Sequence, residues 1–396
     1  MTRTTIPLTA CVTLGLACAQ GAFAQPVPNP FEAQVEGAVK SFKRGVSPSD
    51  AQFPKLQAKE IPELQKRPSA AARGGAAVMD QAMVDMVGQV MPSVILVKTE
   101  SGLGSGFIID SAGLAVTNAH VVEGAEPGEM VAVVTNDKRA FPAVVLAVGP
   151  LSRRGKDIAL LGLPQGSYSA LRFAAAKDVA PGRSVIAVGH PKGLAFSVSQ
   201  GIVSAVERRM PGSVMTYVQT CTPINPGNSG GPLVSLDGKV VGMNTEIMSE
   251  SGGSEGLGFA ISAADIEMAI QQFKRTGDLK VGYMGAPMLP DAEHNTVVLQ
   301  DVARGGPAEK AGLKQGDSIV EIDGQAVASS PADAAGKILR TLAFKSPGEK
   351  VKVAVIRDAK RVDATVTLAD WPEPSIMASA EVPSARPMRV AVLGNY

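Results

Sequence analysis

From Ser93 to Ile261 the chain is a succession of short apolar segments separated by Gly, Pro, Asn and Asp. Each segment has four to six residues, which suits a buried strand and is too short for an ordinary helix. Many short strands at such close spacing are typical of an all-β barrel or sandwich. The segments include Val94–Val97, Gly106–Ile109, Met130–Val134, Ala143–Val148, Ile158–Leu161, Ser184–Val188, Val240–Met243 and Gly258–Ile261.

The composition describes a globular protein with no bias towards nucleic acid or membranes. Apolar residues make up 45% of the 396 residues, which allows a sizeable core and excludes disorder of the whole chain. Basic and acidic residues number 38 and 37, so no overall field attracts DNA, RNA or an anionic membrane. The 11 Phe, 4 Tyr and 1 Trp are too few for a protein built on stacking with single-stranded nucleic acid.

Residues 1–24 are predicted to be a secretory signal peptide. Arg3 precedes a short apolar run, and Ala22-Phe23-Ala24 has the small residues of a cleavage site. The run is shorter than the ~20 residues of a spanning helix, so a retained anchor is the weaker interpretation.

The cysteines agree with export followed by folding on a core alone. Cys11 and Cys18 lie in the predicted signal peptide, so the mature chain keeps only Cys221. A single cysteine forms no intramolecular disulfide and no Cys-based zinc site. An exported protein without disulfides fits a larger domain, as in many periplasmic enzymes.

Composition divides the rest of the chain into four parts. Residues 25–78 are rich in Pro, Ala, Gln and Lys and are interpreted as an arm or linker. A domain at 79–277 begins with a predicted amphipathic helix, Met79–Val90, that packs on the strands after it. A second folded unit occupies 280–370, and 371–396 form a tail.

Two further helices are marked by the residues at their ends. Ser262 and Asp265 form a capping box, and Gly277 ends the helix that follows. Ser330 and Pro331 begin the other helix. Apolar residues recur at helical spacing in both, at Ile266, Ala269, Ile270 and Phe273, and at Ala335, Ile338, Leu339 and Leu342.

The strongest indication of chemistry is the segment Gly227-Asn228-Ser229-Gly230-Gly231-Pro232. A serine between glycines suits a tight turn that exposes its hydroxyl. The N–H groups of Gly227 and Ser229 are candidates for an oxyanion hole. The alternative is an incidental serine in a glycine-rich turn, so the motif needs support from elsewhere in the sequence.

A serine nucleophile needs a base, most often histidine, and a carboxylate that fixes the imidazole tautomer. Of three histidines, His120 follows a strand-like run, His190 lies in a Gly-His-Pro segment typical of a turn, and His294 lies in a polar segment. Asp157 directly precedes an apolar run, where a strand-capping role is the alternative. The order His120, Asp157 and Ser229, with spacings of 37 and 72 residues, favours these three as the catalytic set.

Six motifs occur in order over residues 85–275: GSGFII at Gly104–Ile109, then VTNAHVV, DIALL, GIVSA, GNSGGPL and GLGFAI. Together they resemble the HtrA/DegP family of trypsin-like serine proteases. The resemblance implies a mainly β fold with a double six-stranded barrel. It also implies a triad of His120, Asp157 and Ser229, an oxyanion hole at Gly227 and Ser229, and no cofactor or metal.

The same resemblance implies a small specificity pocket. Ile224 is similar to the apolar residue that narrows the family's pocket, and Pro223 stands where trypsin carries the acid that selects Lys and Arg. Cleavage after Val, Ala or Ile is therefore expected. Asn228 replaces the aspartate that pairs with a new N-terminus in digestive enzymes, so loop reordering is the expected mode of activation. Cys221 is expected to be a small buried hydrophobe.

The unit at 280–370 resembles a PDZ domain, a small α+β fold. Tyr283-Met284-Gly285-Ala286 matches the carboxylate-binding loop, and Gly306–Asp317 matches the core signature. Such a domain captures a peptide C-terminus while the peptide adds a strand to the sheet. Pro287 lacks an N–H in the strand where the peptide should pair, so the groove is expected either to bind more weakly or to recognise its peptide differently. A packing module that fixes oligomer geometry is the alternative.

The resemblance implies an exported, ATP-independent serine endopeptidase that degrades misfolded or unfolded envelope proteins in the periplasm. Its partners would be unfolded polypeptides and, at the PDZ domain, peptide C-termini, with no nucleic acid. Trimer-based assembly of the family makes residues 79–92 a candidate contact in a homo-oligomer. The alternatives are a chaperone or holding scaffold with a dormant protease, and a tethered stress-sensing protease with one dedicated substrate.

Overall fold

The computed structural model describes residues 75–100, 102–151, 155–190, 196–210, 213–225, 227–247, 256–291, 296–327 and 331–371. The predicted signal peptide, His294, Ser330, almost all of the arm and all but the first residue of the tail lie outside these ranges. Among the described residues, no helix combines the length and apolar character needed to cross a membrane.

The first barrel is preceded by helix α1 (Gly75–Val90), which begins four residues before the predicted start at Met79. Met86 and Val90 are buried in the core, so the helix packs on the following domain as the sequence predicted. Six antiparallel strands close in the order β1-β2-β3-β6-β5-β4. They are β1 (Val94–Lys98), β2 (Leu103–Ile108), β3 (Leu114–Thr117), β4 (Met130–Thr135), β5 (Ala140–Val148) and β6 (Ala159–Gly162).

The second barrel has the same construction, with the order β10-β11-β12-β9-β8-β7. The double six-stranded barrel expected from the motifs is therefore confirmed. Short 3-10 helices occupy His120–Val122 and Ala176–Asp178. The strands are β7 (Ser184–Gly189), β8 (Ser197–Arg209), β9 (Thr216–Thr220), β10 (Pro232–Ser235), β11 (Val240–Ile247) and β12 (Gly258–Ser262).

Helix α2 (Ala263–Thr276) follows the second barrel and ends where the sequence predicted. The Ser262 side chain accepts a hydrogen bond from the N–H of Asp265 at 3.2 Å, and Gly277 takes the left-handed conformation with φ 77°. The carboxylate of Asp265 is not used for the reciprocal half of a capping box. It accepts bonds from Thr216 and from Arg340 instead.

The C-terminal unit is a five-strand antiparallel path in the order β13-β14-β15-β17-β18, with β16 paired to β15. It has its own apolar core. Trp371, assigned to the tail, stacks at a tilt on Tyr283 with ring centroids 4.7 Å apart. The elements are β13 (Met288–Asp291), β14 (Thr296–Leu299), α3 (Pro307–Lys310), β15 (Ser318–Ile322), β16 (Gln325–Ala326), α4 (Pro331–Ala343), β17 (Lys350–Arg357) and β18 (Lys360–Thr367).

A buried polar junction joins the two domains. Lys156 is 0% exposed and donates hydrogen bonds to the side chain of Gln272 in α2 and, at 3.0 Å, to the main-chain carbonyl of Ala343 in α4. Its ammonium also lies 4.8 Å from the ring centroid of Phe344. The residue before the candidate catalytic aspartate therefore anchors the C-terminal unit on the barrels.

Lys156 predicts a pH dependence of stability. Burial lowers its pKa from 10.5 to about 7, against the opposing charges of Asp278 and Asp265. Between pH 7 and 10.5 the unfolded chain binds this proton more tightly than the folded one, so stability rises with pH. Urea unfolding at pH 7 to 9 measures this. Relative to Lys156→Met, the free energy of unfolding of the wild type is expected to rise by up to about 1.4 kcal/mol per pH unit. Parallel curves for the two proteins would contradict this.

Candidate active site

The candidate base and acid meet between β3 and β6. His120 follows β3, and Asp157 precedes β6 and is 6% exposed. Asp157 Oδ2 lies 2.8 Å from His120 Nδ1, and its Oδ1 accepts the main-chain N–H of His120 at 3.0 Å. One carboxylate thus holds both the ring and the backbone of the histidine. Burial alone would raise the pKa of Asp157, but the hydrogen bond and charge of His120 hold it below the usual value.

Two further side chains form hydrogen bonds with Asp157, one to its carboxylate and one to its main chain, and sequence reasoning missed both roles. Thr245 Oγ1 donates to Asp157 Oδ2 at 2.6 Å, and Asn118 Nδ2 donates to the main-chain carbonyl of Asp157 at 2.9 Å. The available indication for Thr245 was the polar run Asn244-Thr245-Glu246 inside a strand that otherwise carries apolar residues and a glycine. Ser229 Oγ donates to the main-chain carbonyl of Thr245 at 3.2 Å. Thr245 therefore links the candidate nucleophile to the aspartate.

The turn that carries Ser229 depends on its glycines. Gly227 and Gly230 have φ values of 102° and 84°, which non-glycine residues rarely adopt. A Cβ at Gly230 would lie 2.0 Å from the main-chain oxygen of Ser105. The N–H of Gly231 binds the carbonyl of Asn228 at 2.9 Å, which fixes the peptide group that carries the Ser229 N–H.

The candidate pocket residue Ile224 is buried, 2% exposed, in the second barrel's core. It faces Gly258, where a Cβ would lie 2.8 Å from Ile224 Cγ1. The expectation for Cys221 was wrong, because its side chain is exposed. The cysteine follows the end of β9, where its Sγ accepts the N–H of Ile202 at 3.4 Å.

His190 lies in the Gly-His-Pro segment that the sequence predicted to be a turn, at the end of β7. It is 0% exposed and contacts Ser105. The base candidate His120 keeps 39% of its side chain exposed, which leaves the imidazole open to a substrate.

Hydrogen bonds to main-chain carbonyls fix the candidate carboxylate-binding loop, Tyr283-Met284-Gly285-Ala286. The carbonyl of Met284 accepts the N–H of Ala308 at 2.9 Å, and that of Gly285 accepts the N–H of Ala303 at 2.8 Å. Gly285 has φ 79°, so a side chain there would strain the loop. Met284 and Ala286 are buried in the core of the unit.

Pro287 does not face the free edge of the sheet. Its carbonyl accepts the N–H of Gln300 at 2.9 Å, so its backbone points towards β14. Backbone direction alternates along a strand, and no bulge interrupts the pairing of β13 with β14. Met288 and Pro290 therefore turn to the free edge, beside α4. The missing N–H in the candidate groove belongs to Pro290 rather than to Pro287.

Comparison with known proteins gives consistent matches. The Trypsin-like peptidase domain family matches residues 104–243, and the PDZ domain family matches residues 282–368. A protein of Halomonas elongata named probable periplasmic serine endoprotease DegP-like is 34% identical over 99% of this chain and 82% of its own length. Its namesake from a Marinomonas species is 35% identical, and there the alignment covers 71% of this chain and 60% of the relative. The chain thus spans less than two thirds of that relative.

Solved structures agree with the fold over both domains. The HtrA-type protease AlgW with a decapeptide superposes with a TM-score of 0.62 at 27% identity, over 74% of this chain and 99% of that one. A serine endoprotease from Yersinia pestis gives a TM-score of 0.58 at 27% identity, over 78% and 100% of the two chains.

Proposed function

Because the chain belongs to the HtrA/DegP-like family of serine endoproteases with a PDZ domain, we propose that it degrades unfolded proteins of the bacterial envelope. The enzyme is a serine endopeptidase, and His120, Asp157 and Ser229 are proposed as its triad. The observation that carries this assignment is the pair of bonds from one Asp157 carboxylate to the ring and backbone of His120.

In the proposed mechanism Ser229 Oγ attacks the peptide carbonyl while His120 accepts its proton. Asp157 holds the imidazole in the Nδ1–H tautomer and stabilises its cationic form. The N–H groups of Gly227 and Ser229 stabilise the oxyanion. His120 then protonates the leaving amine, and water hydrolyses the acyl-enzyme. These steps need neither ATP nor a cofactor.

Export to the periplasm is supported by the names of the relatives, and the predicted signal peptide at 1–24 supplies the route. The proposed protease and PDZ domains occupy 79–277 and 280–370. AlgW has been solved with a decapeptide and with a tripeptide, which supports peptide binding at the PDZ domain here. A homo-oligomer assembled through residues 79–92 is also proposed.

Digestion of unfolded casein tests the proposed function. Mature wild-type protein is expected to degrade casein without ATP, and Ser229→Ala is expected to leave it intact. Digestion by both proteins, or by neither, would overturn the proposal. Sequencing the N-terminus of exported protein tests whether the predicted signal peptide is cleaved, because a start at Gln25 excludes a retained anchor.

Ile224→Ala is expected to enlarge the specificity pocket. The residue's buried side chain closes the space beside Gly258, so its truncation admits a larger side chain. The ratio of kcat/KM for Val over Phe at the cleaved position should fall by at least about tenfold in chromogenic peptides. Ile202→Ala, an exposed change on β8, is the control and should keep the wild-type ratio. An unchanged ratio in Ile224→Ala would remove Ile224 from the pocket.

Pro290 is expected to limit the number of peptide residues that the PDZ domain binds along its free edge. Met288 offers a backbone N–H at the free edge, but the next outward position is Pro290, which has none. In Ser229→Ala protein, peptides of three, six and ten residues with one common C-terminus should bind within about threefold of each other. Pro290→Ala should bind the longer peptides more tightly than the tripeptide, whereas Pro287→Ala should keep the affinities similar. Strong length dependence before any substitution would contradict this.

A further inference from the structure

Ser105 belongs to β2 of the first barrel and forms hydrogen bonds with the turn of the second barrel that carries Ser229. Its N–H donates to the carbonyl of Ser229 at 2.8 Å, and its carbonyl accepts the hydroxyl of Thr117 at 2.6 Å. Its own hydroxyl donates to the carbonyl of Gly227 at 2.7 Å. Ser105 therefore binds main-chain carbonyls on both sides of Asn228, within the turn that presents Ser229.

His190, at the end of β7, holds the Ser105 hydroxyl in place. The main-chain N–H of His190 lies 3.1 Å from Ser105 Oγ and 3.4 Å from the carbonyl of Gly227. Its Nδ1 lies 3.2 Å from the same hydroxyl oxygen. Because the single hydroxyl hydrogen is directed to the Gly227 carbonyl, Nδ1 must be the donor.

The imidazole is therefore fixed as the neutral Nδ1–H tautomer. Nε2 is buried, and no residue that the structure describes forms a hydrogen bond with it. Phe196 packs edge-on against the ring at a centroid distance of 4.3 Å. Burial lowers the pKa of His190 to about 4, so the ring stays uncharged at neutral pH. His190 acts as a hydrogen-bond donor rather than as a second base.

The Gly227 carbonyl needs such a restraint. With φ 102° and no Cβ, Gly227 has little conformational preference of its own. Its carbonyl is fixed by Ser105, and the N–H of Asn228 in the same peptide group donates to the carbonyl of Asn225 at 3.0 Å. Fixing this peptide group limits rotation at Gly227, and with it the direction of the Gly227 N–H.

We propose that Ser105 and His190 are positioning residues that preorganise the oxyanion hole by holding the Gly227 carbonyl. The relay runs from His190 Nδ1–H to Ser105 Oγ–H and on to the Gly227 carbonyl oxygen. The inference rests on the proposed catalytic role of Ser229. A misdirected Gly227 N–H weakens transition-state binding and leaves ground-state substrate binding intact, so kcat falls while KM does not change.

Steady-state kinetics of four variants of the full chain test the relay. Ser105→Ala is expected to lower kcat about 10- to 100-fold with KM within threefold, less than the loss of an oxyanion donor itself. His190→Asn keeps an amide N–H at the position of Nδ1 and should retain kcat within about threefold. His190→Gln places its N–H at the position of Nε2, so its kcat should fall about tenfold. Ser235→Ala removes a half-buried hydroxyl at the end of β10, where it bonds the carbonyl of Lys239; it is the control and should keep the wild-type kcat.

A second readout separates positioning from loss of fold. Affinity for a peptidyl boronate, which mimics the tetrahedral intermediate, should weaken in Ser105→Ala by the same factor as kcat, with the unfolding midpoint recorded alongside. Wild-type kcat in Ser105→Ala, a loss confined to KM, or equal activity of His190→Asn and His190→Gln would overturn the relay. If Ser229→Ala still digests casein, the proposed function fails instead.

Discussion

Replacing Asp157 by Asn is expected to lower kcat about 10⁴-fold. The aspartate accepts hydrogen bonds from the His120 ring and backbone and from Thr245 Oγ1. An asparagine amide directs an N–H at one of these partners, so the imidazole adopts the wrong tautomer and its cation loses its counter-charge. A chromogenic peptide with Val at the cleaved position measures the loss.

The control for this experiment is Asp178→Asn, an exposed acid in the 3-10 helix Ala176–Asp178. It should leave kcat unchanged, because it removes one negative charge from the same domain without touching the triad. A loss below tenfold in Asp157→Asn would show that another group orients His120.

Asp265→Ala is expected to lower the free energy of unfolding by about 3–5 kcal/mol. The carboxylate is 0% exposed and accepts the Thr216 N–H at 2.5 Å and the Arg340 guanidinium Nε at 2.9 Å. Its removal leaves a buried N–H unpaired and a cation without its partner at the domain junction.

Urea unfolding followed by circular dichroism measures this effect. Glu267→Ala lies on the same helix with its side chain exposed, and should stay within about 0.5 kcal/mol of the wild type. Equal effects of the two substitutions would show that the junction contributes nothing to stability.

Local sequence patterns carried most of the fold. Most strands of the two barrels follow from short apolar runs between turn residues, and helix α2 ends at Gly277 as its sequence indicated. The exception that stands out is β8, which is 13 residues long and rich in polar residues. Such features depend on neighbours within a few residues. The motifs likewise predicted His120 and Asp157, which bond to each other, and Ser229, which bonds to the Thr245 that also contacts Asp157.

The roles that sequence reasoning missed depend on partners distant in the chain. Lys156 follows a glycine and two arginines and has the appearance of a solvated charge, yet its partners Gln272 and Ala343 lie 116 and 187 residues away. The sequence around His190 indicates only a turn, because its partner Ser105 lies on β2, 85 residues away in the chain. Pairing register, which the sequence does not show, decides which proline faces the groove.

Labelling with diisopropyl fluorophosphate tests most directly whether peptide hydrolysis passes through Ser229. We expect one phosphoryl group on Ser229 by peptide mass mapping, with casein digestion lost in proportion to labelling and with His120→Ala left unlabelled over the same time. Full inactivation with the adduct on another residue, or full digestion by protein labelled at Ser229, would contradict the assignment.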